Sequence, residues 1–156
     1  MKTGVKITGI GIVGSCGIGL EAFWAGLTSG KSTAKYLPHL EELGLEKAIG
    51  CPVENFDASK YVRPEVKLNR FPRHTHLGLA AAEMALKDVG ITAKEWSEFD
   101  KVPVITGTAL MDLDHVSKTI TRVHEGGVKA AMPFTTFSYS PIAISETIAR
   151  FVPTRT

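Results

Sequence analysis

The sequence predicts a layered α/β fold, and three stretches carry that prediction. Residues 5–19, VKITGIGIVGSCGIG, open as an apolar strand and break into a glycine-rich turn. Val5, Ile7, Ile10, Ile12 and Val13 supply β-branched bulk with almost no charge, the composition of a strand covered on both faces as in a parallel sheet. Residues 75–89 are apolar nearly all round, the pattern of a helix held between layers. Residues 102–106, VPVIT, give a second apolar strand, with Pro103 tolerable near its start, and Gly107-Thr108 makes another strand-to-helix turn.

In chain order, Gly14, Gly17 and Gly19 make a tight crossing into a helix beginning near Leu20. Leu20, Phe23, Trp24 and Leu27 recur at helical spacing, Glu21 favours the positive end of the helix dipole, and Gly30 closes the element. Residues 31–72 are irregular and punctuated by Pro38, Pro52, Pro64 and Pro72. Short helical turns are expected at 39–47 and at 57–62, the second capped by Asp57. So long an irregular stretch reads as an insertion or a lid-like layer.

The 75–89 helix carries Leu77, Leu79, Ala80, Ala81, Ala82, Met84, Ala85, Leu86 and Val89 around most of its circumference. Glu83 and Lys87, an i,i+4 pair, mark a narrow wet edge, and Gly90 is the natural stop. The small residues let this helix backbone approach a neighbour closely. Leu113, Val116, Ile120 and Val123 then predict an amphipathic helix ending at Gly126-Gly127. A loop rich in Phe, Thr and Ser follows at 134–139. Ser140-Pro141 reads as an N-cap with Pro at the first helical position. Ile144, Ile148 and Phe151 form the inner face of that last helix, and Pro153 stops it.

Two strands do not make an independently stable parallel sheet, and they cannot cover these helix faces. The chain therefore reads as part of an α/β architecture, incomplete as given and stopping where a further strand is expected. It should expose a sheet edge and an apolar helix face, and associate through them.

Composition narrows the function classes. The net charge is +2 and the 18 basic residues form no stripe with interleaved aromatics, so a nucleic-acid footprint is missing. No apolar run approaches membrane-spanning length, and the start lacks a secretory signal pattern, so the expected compartment is the cytoplasm. Two cysteines, Cys16 and Cys51, form neither a disulfide framework nor a metal set.

The candidate motifs are sparse. Gly9, Gly11 and Gly14 spell G-x-G-x-x-G, but two of them lie inside the apolar run, and the acidic residue expected ~20 positions on is missing from 31–39. A dinucleotide-binding domain is therefore the weakest reading, and glycines that let a helix approach a strand are the stronger one. Cys16 lies before a helix N-terminus, which favours a thiolate, yet a small turn residue explains it as well. His74 and His76, two apart on a helix, point to different faces. Asp112, Asp114 and His115 could imitate a metal cluster, but Asp112 or Asp114 as the cap and first-turn charge of a helix is the simpler reading.

The order of these pieces resembles the N-terminal half of a β-ketoacyl-acyl-carrier-protein synthase, a ketosynthase of the thiolase-fold group. Residues 5–19 with FWAGLTSGKS (23–32) are similar to its opening "I-T-G-x-G-x-V-S…G…F-W…L-x-x-G-x-S". Phe56-Asp57-Ala58 and Tyr61 resemble its "F-D…Y" segment. Residues 77–90, LGLAAAEMALKDVG, resemble "A-L-A-A-A-x-x-A-L-x-D-A-G". Gly107-Thr108 resembles its "G-T/S-G" turn. Met132-Pro133-Phe134 and the 140–151 helix resemble its "S-P-F-F…I-A-x-x-F" region. The likeness is collinear over about 5–155.

That resemblance implies the N-terminal half of a layered α/β/α thiolase-like fold, with 1–156 as the ketosynthase N-terminal domain. It implies an acyltransferase whose cysteine takes an acyl chain and condenses it with decarboxylated malonyl-carrier protein, in fatty-acid or polyketide synthesis. The acyl groups arrive as thioesters on the phosphopantetheine arm of an acyl carrier protein, and no bound cofactor or metal is implied. By family order the catalytic cysteine and histidines lie beyond Thr156, so no catalytic residue carries over, and Cys16 and Cys51 match none. Leu110 resembles the residue that gates the acyl chain; Phe134, Thr135 and Phe137 resemble the loop at the dimer contact and tunnel end. Met111 and Asp112 stand where the family has glycines, Pro72 and His74 replace its Asp and Phe before the long helix, and its Asn near Ile142 is replaced. The expected partners are a carrier protein and either a second copy or a complementary ketosynthase chain. A non-catalytic ketosynthase-like half that pairs with another synthase subunit is the alternative.

Overall fold

The computed structural model describes residues 4–92, 95, 102–109, 113–131, 140 and 142–151. Strands β1 (Val13–Gly14) and β2 (Gly17–Ile18) form an antiparallel hairpin, with Val13 opposite Ile18 and Gly14 opposite Gly17. Helix α1 (Leu20–Thr28) follows. A second two-strand ladder joins β3 (Lys35–Tyr36) to β4 (Ile49–Gly50). The long helix α2 (Arg73–Val89), then α3 (Leu113–Gly126) and α4 (Ala143–Phe151), follow. No helix among the described residues is long and apolar enough to cross a membrane.

Helix α2 begins two residues before its expected start and ends at Gly90, whose φ of 75° is the left-handed stop that glycine adopts without strain. Leu79 and Ala80 are 1% and 0% exposed. Two of the surfaces that close on α2 build its core cluster. The first is the 56–71 segment, which sends Ala58, Val62 and Val66 into the core beside the half-buried Phe56, Tyr61, Leu68 and Phe71. The second is α4, where Ile148 and Phe151 join the same cluster and the Phe71 and Phe151 rings meet edge to face at 5.6 Å.

The irregular backbone expected for 31–72 is present as 3₁₀ turns at Pro38–Leu43, Ala58–Lys60 and Leu68–Arg70. Asp57 caps the second, its carboxylate accepting the Ser59 N–H at 3.0 Å and the Ser59 hydroxyl at 2.6 Å. The latter half of this stretch walls the core rather than lying over it. Glu83 does not pair with Lys87. It accepts from Arg63 Nε at 2.7 Å, because Arg63 comes over α2 with the core segment, and both side chains are half-buried. Arg73 adds a bond to the Val53 carbonyl at 2.8 Å and covers the Phe56 ring at 5.6 Å.

The two expected core strands are corrected. Residues 4–12 and 102–109 belong to no ladder, and the ladders among the described residues are antiparallel pairs of two-residue strands. The physical reason is partnership: apolar β-branched composition favours a strand, but a strand exists only when a second backbone takes its N–H and C=O groups. Without it Val5, Ile7 and Ile105 stay 100%, 83% and 89% exposed. Burial still alternates residue by residue through 102–107, half-buried against exposed, as an extended chain requires.

Two expected inner stripes are likewise uncovered. Of the expected α1 stripe only Phe23 is half-buried, while Leu20, Trp24 and Leu27 are exposed. On α3, Leu113 and Ile120 are exposed and Val116 and Val123 half-buried.

Candidate functional site

The acyl-pocket residues expected from the resemblance, Leu110, Phe134, Thr135 and Phe137, lie outside the described residues, as does Asp112. Their frame is described. Residues 102–109 lead toward position 110, α3 starts at Leu113, and α4 starts after Ser140. Ser140 Oγ accepts the Ile142 N–H at 3.3 Å and its carbonyl accepts the Ala143 N–H at 3.0 Å, so it acts at the helix start as its sequence position suggested.

Gly9 and Gly11 are packing residues. A Cβ on Gly9 would stand 2.3 Å from the Ala85 carbonyl oxygen, and one on Gly11 1.8 Å from that of Ala81. The third glycine of the motif, Gly14, faces the Phe23 ring. These contacts occupy the positions that would face a pyrophosphate, and they carry the helix-approach reading over the dinucleotide one. They also identify what the small residues of α2 admit: the opening segment, lying across Ala81 and Ala85. Ile10 N–H is held by Asp88 Oδ2 at 2.9 Å. Nothing in the composition of α2 had signalled that contact.

Cys16 sits half-buried in the β1–β2 turn, with its carbonyl oxygen where a Cβ on Gly26 would be 2.0 Å away. The turn is thus clamped under α1, and small size explains it. Cys51 is exposed, both thiols are free, and among the described residues neither is bonded to a histidine. His76 Nε2 meets the Leu68 carbonyl at 2.8 Å and ties α2 to the 3₁₀ turn below it. Asp114, in the first turn of α3, pairs with Lys118 at 2.6 Å, as a helix-start charge would. No group of three or more His, Cys, Asp or Glu that could hold a metal ion occurs among the described residues.

Among the described residues, two surface hollows lie beside the elements just described. One of about 330 Å³ lies between the Leu68–Arg70 turn and α4, with Lys67, Arg70 and Arg150 around the Phe71–Phe151 pair and Glu65 and Glu146 at its rim. The other, about 560 Å³, is lined by Ile10, Ile18, Leu20 and Met84 with Lys87 and Asp88. Neither of these two is lined by a cysteine, serine or histidine, the side chains that usually form a nucleophile–base pair.

The scaffold defines the class first. The backbone superposes on the ishigamide ketosynthase/chain length factor with a TM-score of 0.76, at 25% identity over 96% of this chain and 37% of that one. It is thus a partial α/β fold of the thiolase-like ketosynthase kind. The family model "Beta-ketoacyl synthase, N-terminal domain" matches residues 2–152, and the chain belongs to that family. Among curated relatives, it is 35% identical over 95 residues to the tetracenomycin polyketide synthase ketoacyl synthase beta subunit of Streptomyces glaucescens, 61% of this chain and 23% of that protein. It is 26% identical over 134 residues to 3-oxoacyl-(acyl-carrier-protein) synthase 2 of Synechocystis, 85% of this chain and 32% of that protein. The chain spans about a third or less of the length of these relatives.

Proposed function

We propose that this chain is the N-terminal segment of a β-ketoacyl-acyl-carrier-protein synthase. Such an enzyme extends acyl thioesters by decarboxylative Claisen condensation in fatty-acid or polyketide synthesis. The observation that carries the reading is the family match across residues 2–152, joined to two apolar segments, 4–12 and 102–109, that belong to no ladder. In this reading 1–156 is a half-domain, and Leu110, Phe134, Thr135 and Phe137 line the acyl tunnel. The nucleophilic cysteine and the histidines come from sequence outside these residues. The acyl groups arrive on the phosphopantetheine arm of a carrier protein in the cytoplasm, and a second copy or a complementary ketosynthase chain completes the dimer.

The experiment is acyl loading. The purified chain is incubated with an acyl-carrier-protein thioester and analysed by intact-mass spectrometry. The expected result is no adduct on Cys16 or Cys51; a stable acyl adduct on either would overturn this division of labour. Sequencing the coding DNA downstream of codon 156 supplies the positive arm: a small-residue strand ending in cysteine, with histidines further on.

A second reading is favoured by one finding, the 35% identity to a ketoacyl synthase beta subunit. In it the chain is a non-catalytic ketosynthase-like half that pairs with a synthase subunit. It predicts a folded, monodisperse chain when expressed by itself. Aggregation of the purified chain would sink it.

A further inference from the structure

The irregular stretch 31–72 divides in two. From Phe56 onward it walls the core. Residues 31–55 do not: none of those described is buried, and Tyr36, Leu45 and Ile49 are exposed. The order they have is their own. Lys35–Tyr36 pairs with Ile49–Gly50, Leu37 N–H donates to the Ala48 carbonyl at 2.9 Å, and Leu45 N–H donates to the Leu40 carbonyl at 3.0 Å. The Leu37 side chain lies where a Cβ on Gly50 would be 2.7 Å away, and Lys35 pairs with Glu54. Past the adjacent Ser29, two hydrogen bonds among the described residues join this excursion to the body, one at each leg. The Thr33 and Ser15 hydroxyls meet at 3.0 Å, and the Val53 carbonyl accepts from the Arg73 guanidinium at 2.8 Å. A left-handed residue stands at each end, Gly30 with φ 69° and Asn55 with φ 54°.

We infer that residues 31–54 form a strap that swings as one body about Gly30 and Asn55, and that Arg73 is its latch. A segment with no buried side chain loses little apolar cover on leaving the body, so its opening belongs to the low-stability end of the molecule. Its internal ladder and turn hold it together while it moves. The pivots are single residues at element ends, where a hinge absorbs the change of φ and ψ. Arg73 has the geometry of a latch. It is exposed and rooted in the first turn of α2, and its guanidinium reaches both sides of the Asn55 pivot. On the strap it holds the Val53 carbonyl; on the core wall it covers the Phe56 ring at 5.6 Å. Its bond is charge-assisted and so outweighs the neutral hydroxyl pair at the other leg.

Two spin labels and amide exchange test this together. One label goes on Cys51, an exposed thiol carried by the strap. The other goes on Lys87→Cys, on the exposed side of α2, with Cys16→Ser to leave a single native thiol. Pulsed electron paramagnetic resonance then reads the distance between strap and helix. In the otherwise unchanged chain one distance dominates. Arg73→Ala is expected to raise a second, displaced population roughly tenfold, the scale of losing one charge-assisted hydrogen bond. Arg73→Lys, which keeps a charged donor, should restore most of the original distribution. Over the same variants the Leu37 and Leu45 amides, bonded inside the strap, should keep their exchange rates within about threefold. An unchanged distance distribution in Arg73→Ala overturns the latch. A changed distribution with fast exchange at Leu37 and Leu45 overturns the single body, because the segment has then unravelled. Thr33→Val, which removes the bond at the other leg, gives an independent arm: a smaller displacement than that of Arg73→Ala is expected, and a larger one would make Thr33 the latch and overturn the assignment of Arg73.

Discussion

Helix α2 and the opening segment touch each other along Ala81 and Ala85, yet their outer surroundings are opposite. Around α2, Leu79 and Ala80 are sealed by the 56–71 segment and α4. A few residues away, Val5 and Ile7 stand in solvent. Both regions are comparably apolar in sequence, so hydrophobicity does not separate them. What separates them is the kind of partner each needs. A helix satisfies its own backbone and asks only for side-chain cover, which local sequence supplies. A strand asks for a second backbone, and one has to arrive from elsewhere in the fold.

Substitution at matched positions gives the largest test of that contrast. Leu79→Ala should cost about 2–5 kcal/mol in a denaturant or thermal melt, the range for a buried leucine truncated to alanine. Ile7→Ala should cost close to nothing in the same melt and lessen self-association at high concentration. A large loss at Ile7 would mean that the opening segment is already covered in solution.

The seam between the regions comes next. Gly11→Ala places a Cβ against the Ala81 carbonyl, and a backbone atom cannot step aside as a flexible side chain does. A loss of about 1–3 kcal/mol is expected, with faster exchange of the Ile10 amide as the segment lifts. Stability without that faster exchange would place the damage elsewhere.

Smaller again is the ion pair that ties the core segment to α2. Glu83→Gln keeps a hydrogen-bond acceptor for Arg63 but removes the charge, and should cost about 1 kcal/mol, with a further decrease in salt sensitivity of the melt. An unchanged salt dependence would show the pair to be screened already.

The smallest effect is a pH dependence. The Ser59 hydroxyl and N–H hold the Asp57 carboxyl below the usual carboxylate range. A group whose folded pKa is depressed stabilises the fold above its unfolded value, and that contribution is lost as pH falls through the folded one. Melting temperature should therefore decline slightly more in wild type than in Asp57→Asn as pH is taken down through the carboxylate range. Parallel curves would remove the cap from the account.

Legibility followed the same division. The helices, their glycine stops at Gly90 and Gly127, and the Asp57 cap were readable because each depends on residues within a few positions. Gly9 and Gly11 were readable as close-approach residues, but their neighbour was not: α2 lies some seventy positions away. Arg63 displaced Lys87 as the partner of Glu83 for the same reason. The ordered set of motifs made the family legible, whereas no single residue cluster marked a catalytic site.

By itself, then, the sequence determined the helical elements, their ends and caps, the ketosynthase likeness and the apolar character of both would-be strands. These follow from periodicity, glycine and short-range hydrogen bonds. Tertiary structure decided which apolar residues became core, which helix carbonyls Gly9 and Gly11 meet, and that Asp88 and the hairpin bond the opening segment at Ile10 and Ile12. It also decided that neither would-be strand became one. Composition can prepare a backbone for a sheet, but hydrogen bonds between distant segments form only when a second backbone is there to make them.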